Sequence, residues 1–142
     1  IFITGGTGFF GKSILRYCQK NKLYEKYSIN IFTRNISKFK LNCPESINLE
    51  SVNFFEGDIL DPSTFPNNDF DFVIHAATDS TSGLSLKYIE RSNQIVVGTR
   101  NILNWSGNKQ IKRFLLIILL HSLFIQLSCF AIKKFMEVNI IH

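Results

Sequence analysis

Proline is scarce in this chain: three among 142 residues, at positions 44, 62 and 66. With so few helix and strand breakers and fourteen phenylalanines, the sequence suits buried strands and helices rather than an extended or low-complexity polymer. The three cysteines, Cys18, Cys43 and Cys129, are odd in number and form no C-x-x-C pair. That speaks against a disulfide framework and for a reduced, cytoplasmic setting. Acid is also in short supply, 11 Asp and Glu against 16 Lys and Arg. From Lys12 to Lys40 eight basic residues are opposed by Glu25 alone. This bias fits an anionic ligand, with a solvated helix face as the plain alternative; no known nucleic-acid motif accompanies it, so a nucleic-acid partner is not expected. The first residue is not methionine and no signal-peptide layout follows, so a clipped beginning is expected. At 45% hydrophobic content the length suffices for one core and one domain.

What the chain does have is concentrated at its start. Ile1-Phe2-Ile3-Thr4 is an apolar strand that breaks into Gly5-Gly6-Thr7-Gly8-Phe9-Phe10-Gly11 and runs directly into a helix marked by Phe10, Ile14, Leu15 and Cys18, with Asn21 as its stop. Gly5, Gly8 and Gly11 fall three apart, and Gly6, Gly8 and Gly11 also satisfy G-x-G-x-x-G. Glycine at these places permits the tight exit from the strand, the approach of a pyrophosphate to bare backbone and the close packing of helix on sheet. The free N–H groups of the helix's first turn then face the anion.

Further along, strand and helix patterns alternate. Tyr27 to Thr33 reads as a second strand with alternating polarity, residues 35 to 50 as a polar crossover without chemistry, and Ser51 to Phe55 as a third strand. Residues 70 to 78 read as a fourth strand, too apolar at its centre to be half-exposed, 84 to 106 as a helix, and Lys112 to Ile117 as the start of a fifth strand. Such alternation predicts an α/β fold, a Rossmann-type doubly wound parallel sheet. In such a fold the tip of the second strand meets the adenosine ribose. An acid there selects NAD and a cation accommodates NADP; here the tip is Thr33-Arg34, which favours NADP slightly. Asp58 either accepts a hydrogen bond from adenine or caps a turn after Gly57; the spacing leaves both open. Ala76 and Ala77 leave room for a ring and a sugar. His75 has no partner at ligand spacing and reads as structural.

Four segments in order, TGGTGFFG at 4 to 11, EGDILD at 56 to 61, FDFVIHAAT at 70 to 78 and VGTRNIL at 97 to 103 followed by KRFLL, resemble the amino-terminal part of the extended short-chain dehydrogenases/reductases. More narrowly they resemble the NAD-dependent epimerase/dehydratase group acting on nucleotide sugars. The resemblance covers residues 1 to 117. It implies an oxidoreductase-type enzyme with NAD or NADP as cofactor, a nucleotide sugar as substrate and a homodimer in intact members. It further implies that Gly5, Gly8, Phe9, Phe10 and Gly11 hold the pyrophosphate, Arg34 the adenosine end, Asp58 and Ile59 the adenine, and Ala76, Ala77 and Thr78 the nicotinamide ribose. One departure is Ile95, where many members carry asparagine.

A larger departure follows. Members continue into a Ser-Ser turn and a Tyr-x-x-x-Lys pair, in which the lysine lowers the tyrosine pKa for proton exchange with a sugar hydroxyl. Here Tyr17, Tyr24, Tyr27 and Tyr88 are followed four residues on by Asn21, Ser28, Ile31 and Ser92, so the pair is absent and no catalytic residue is assigned. Residues 118 to 142 read as an atypical hydrophobic tail, with no glycine after Gly107. Phe114 to Ile132 carries no charge and as one helix would span about 28 Å, near a membrane's hydrocarbon thickness. His121, Ser122, Gln126 and basic flanks on both sides argue against a membrane anchor. A reading-frame change is the expectation, with a buried strand and helix of a genuine variant, or a membrane helix, as the alternatives. The matching functional alternatives are a non-catalytic dinucleotide-binding module and a small membrane-anchored protein.

Overall fold

The computed structural model describes residues 1–77 and 88–117. Thr78 and the tail therefore lie outside the described residues, and with them most of the uncharged run. Five strands, β1 (Phe2–Thr4), β2 (Ile29–Thr33), β3 (Val52–Glu56), β4 (Phe72–His75) and β5 (Arg113–Leu116), make one sheet in the order β3-β2-β1-β4-β5. All four pairings are parallel. Helices α1 (Phe9–Lys20), α2 (Ile36–Leu41) and α3 (Tyr88–Gly107) supply crossovers.

Alternation along the strands sorts the core into two layers. Ile1, Ile3, Ile29, Ile31, Phe72 and Ile74 pack with Phe10, Ile14, Leu15 and Cys18 of α1. Phe2, Phe32 and Val73 pack on the opposite face with Phe65, Phe70, Ile102 and Trp105. Phe2 is the centre of this second layer, its ring centroid 4.7 Å from that of Phe70, 4.9 Å from Trp105 and 5.7 Å from Phe32. The Trp105 indole N–H donates to the Pro66 carbonyl at 3.1 Å, so its one polar atom is satisfied. Both faces of the sheet are thus covered, which is why its central strands β2, β1 and β4 are buried along their whole length.

Two local expectations change. β2 begins at Ile29 rather than Tyr27 and all five residues are buried, so its polar position is inside. Asn30 is tolerated there because its amide donates to Ile1 and Ser28 carbonyls at 3.1 Å each while its oxygen accepts from Asn53. Inside the stretch expected as a plain crossover lies α2. Asn35 caps it, its side-chain oxygen accepting from the Lys38 N–H at 2.7 Å, and Phe39 anchors it to the core.

Candidate cofactor site

The chain proceeds from β1 outward through β2 and β3, then returns to the other side of β1 for β4 and β5. This reversal places the carboxyl ends of β1 and β4 side by side, the crevice where ligands of open α/β sheets bind. Here β1 opens into the glycine turn. Gly5 has φ +74°, and a Cβ at that position would lie 2.3 Å from the Ala76 carbonyl oxygen and 2.6 Å from the Ala77 nitrogen. Gly5 therefore lets the turn lie directly on the Ala76-Ala77 backbone, a contact no side chain permits. Gly11 does the same for the helix: its Cβ would stand 2.2 Å from the Gly6 Cα. Gly8 differs. A Cβ there would meet only the Gly5 oxygen, at 3.5 Å, so its bareness faces open space rather than the protein.

Gly8 is also the first residue flanking α1, and no side chain caps the helix. The N–H groups of Phe9, Phe10 and Gly11 lie in a first turn that geometry leaves without intrahelical acceptors, and no acid stands in that turn. The Phe9 ring is exposed and meets the buried Phe10 ring edge to face. The arrangement fits an anion held by backbone donors at the positive end of the helix.

Behind this cradle sits His75, 1% exposed. Its Nδ1 is 2.5 Å from the Thr4 hydroxyl and its Nε2 is 3.2 Å from the Thr99 hydroxyl of α3. Burial pushes its pKa down from 6.5 to about 4, so the ring is neutral. Both ring nitrogens are occupied, which leaves no free one for a metal or a substrate proton.

The other expected residues stand at the tips of β2 and β3. Arg34 follows β2 and is exposed. The Asp58 Oδ1 accepts from the Leu60 N–H at 3.0 Å, the turn-capping arrangement, while its own N–H donates to the Thr64 hydroxyl. Ile59 fills the space left by Gly98, whose Cβ would come within 2.5 Å of it, and the Ile59 carbonyl accepts from Asn101. The turn after β3 is thereby tied to α3. Gly57 is required where it stands, because a Cβ would strike the Phe32 ring at 2.6 Å.

The model of the NAD dependent epimerase/dehydratase family matches residues 1–118. The chain belongs to the NAD dependent epimerase/dehydratase family. A UDP-glucose 4-epimerase of Rickettsia typhi is 27% identical over 121 residues, 82% of this chain and 35% of the relative. A UDP-N-acetylglucosamine 4,6-dehydratase (inverting) of Campylobacter jejuni is 36% identical over 80 residues, 54% of this chain and 23% of the relative. The crystal structure of a UDP-galactose 4-epimerase superposes with a TM-score of 0.61 at 20% identity, over 81% of this chain and 36% of the other. That likeness shows the fold, and the chain spans about a third or less of the length of these proteins. Membership in the NAD dependent epimerase/dehydratase family implies NAD(P) binding. Among the described residues no helix is long and apolar enough to cross a membrane.

Two contributions escaped the sequence reading. Thr4 and Thr99 hold His75 from elements 95 residues apart, a pairing that no local pattern reveals. Glu56 ends β3 as the register partner of Thr33, and its carboxylate lies 3.5 Å from the Ile36 N–H, at the start of α2. The signal for it was its place one residue before Gly57.

Proposed function

We propose that residues 1–117 are the NAD(P)-binding portion of a nucleotide-sugar epimerase or dehydratase. In this reading Gly5, Gly8, Phe9, Phe10 and Gly11 hold the pyrophosphate, Asp58 and Ile59 border the adenine, and Ala76, Ala77 and Thr78 border the nicotinamide ribose. The observation that carries it is the glycine turn. Gly5 is pressed onto Ala76-Ala77 while Gly8 opens on space above an uncapped helix start, which makes a cradle for phosphate at the sheet's reversal point. Bound there, the cofactor would supply hydride exchange with a sugar carbon. Arg34 adds a charge-assisted contact for a 2′-phosphate, so NADP binds at least as well as NAD. The named UDP-sugar activities of the relatives support a UDP-linked sugar as substrate class.

The same 142 residues contain no Tyr-x-x-x-Lys pair to move the hydroxyl proton. Losing a positioned acid–base group forfeits about 10² to 10⁴ in rate. These residues alone therefore bind the dinucleotide without turning over a sugar nucleotide. The test is a melting curve of the 142-residue chain with millimolar NAD, NADH, NADP and NADPH, since ligand at about a hundred times its Kd stabilises by ~2.7 kcal/mol. A melting temperature that none of the four moves overturns the cofactor reading. Measurable epimerisation or dehydration of UDP-sugars overturns the inactivity.

A further inference from the structure

The tip of β2 carries Thr33-Arg34, with no carboxylate where the adenosine ribose is read. The structure supplies one from the neighbouring strand. Thr33 and Glu56 are register partners in the parallel β2–β3 pair, and the Gly57 N–H donates to the Thr33 carbonyl at 3.0 Å, fixing the two tips together. Paired residues of adjacent parallel strands share a face and stand about 4.8 Å apart, so Glu56 is one strand width from the vacant acid position. Its carboxylate is drawn toward β2, with Oε2 3.5 Å from the Ile36 N–H, just past Arg34-Asn35. That contact is long and leaves Oε1 open. Neither Glu56 nor Arg34 enters an ion pair among the described residues, so both charges are available to a ligand.

We propose that Glu56 is a specificity-determining residue: its carboxylate accepts the ribose 2′-hydroxyl of NAD and repels the 2′-phosphate of NADP, opposing Arg34 at the same edge. The proposal rests on the cofactor reading above. It assigns the choice between dinucleotides to the balance of two charges on neighbouring strands, Arg34 drawing NADP in and Glu56 limiting it. A glutamine at 56 keeps an oxygen for the Ile36 N–H and removes only the charge, which separates ligand reading from capping of α2.

The test is calorimetric titration of the 142-residue chain, and of Glu56→Gln, Glu56→Ser and Arg34→Ala, with NAD and NADP separately, each variant's fold checked by circular dichroism. Glu56→Gln is expected to improve NADP binding relative to NAD about tenfold, the scale of one charged contact. Glu56→Ser moves the ratio the same way, and Arg34→Ala moves it in the opposite direction. An unlowered NADP preference in Arg34→Ala removes the opposition and overturns the proposal. So does an unchanged ratio in Glu56→Gln and Glu56→Ser when the parent binds both cofactors, and in that case the cofactor reading stands. Binding of neither cofactor by the parent chain overturns both.

Discussion

Acid should weaken this fold through one residue, His75. In the unfolded chain an imidazole takes up its proton near pH 6.5, whereas burial holds the native ring neutral down to about pH 4. Since the native state resists the proton that the unfolded state accepts, stability is whole above pH 6.5 and falls as the pH drops toward 4, where the native ring protonates too. The slope approaches ~1.4 kcal/mol for each pH step and the total is about 3 kcal/mol. Against a net stability on the order of 5–15 kcal/mol, that is a large fraction. Urea unfolding at pH 7, 6, 5 and 4 of the parent and of His75→Gln would measure it, because glutamine keeps hydrogen-bonding atoms toward Thr4 and Thr99 but does not titrate. His121 and His142 are present in both proteins and cancel. The exposed Asp71, whose carboxyl is held low by the Lys112 ammonium 2.6 Å away, loses its share chiefly below its ordinary 3.8, beyond the acid end of the window. The parent should lose about 3 kcal/mol more than His75→Gln between pH 7 and pH 4. Parallel curves for the two proteins would refute the reasoning.

Gly8→Val should leave the melting temperature nearly unchanged, since its Cβ meets only one oxygen at 3.5 Å, yet weaken NAD(P) binding by tenfold or more in the same titration. Gly5→Ala should do the reverse of the first part: the left-handed backbone alone costs about 1–2 kcal/mol and the collision with Ala76 adds to it, so the melting temperature falls before any ligand is added. Phe2→Ala should cost about 3–5 kcal/mol in urea unfolding, because it empties the centre of the aromatic layer formed with Phe32, Phe70 and Trp105.

The order of elements was legible because several strands end in glycine or in small residues. Gly5, Gly57 and the Ala76-Ala77 pair mark three of the five strand ends, and the apolar spacing of Phe10, Ile14, Leu15 and Cys18 marks the covering helix. α2 was overlooked although its signals were present: Asn35 as a cap and Ile36 and Phe39 at helical spacing, masked by two lysines, a proline and polar neighbours. The alternation in β2 suggested a half-exposed strand because a lone Asn30 reads as solvent-facing. It is inside because the Ile1 carbonyl and Asn53, both distant in sequence, satisfy it together with the nearby Ser28 carbonyl. The same limitation hid the Thr4–His75–Thr99 link and the approach of Glu56 to the β2 tip. Sequence spacing reports what a residue does within its own element, and these contacts are made between elements.

Helix α1 begins at a glycine where most helices would place serine, threonine, aspartate or asparagine. An engineer seeking a sturdier protein would correct this, since Gly8→Ser offers its hydroxyl to the first-turn donors for a gain of a few tenths of a kcal/mol. The hydroxyl would then compete with a phosphate for the same N–H groups, and a more stable chain would be a poorer host for it. Amide hydrogen exchange at Phe9, Phe10 and Gly11 makes the trade visible: it is fast while the turn is open, and slows when serine or a dinucleotide occupies the donors.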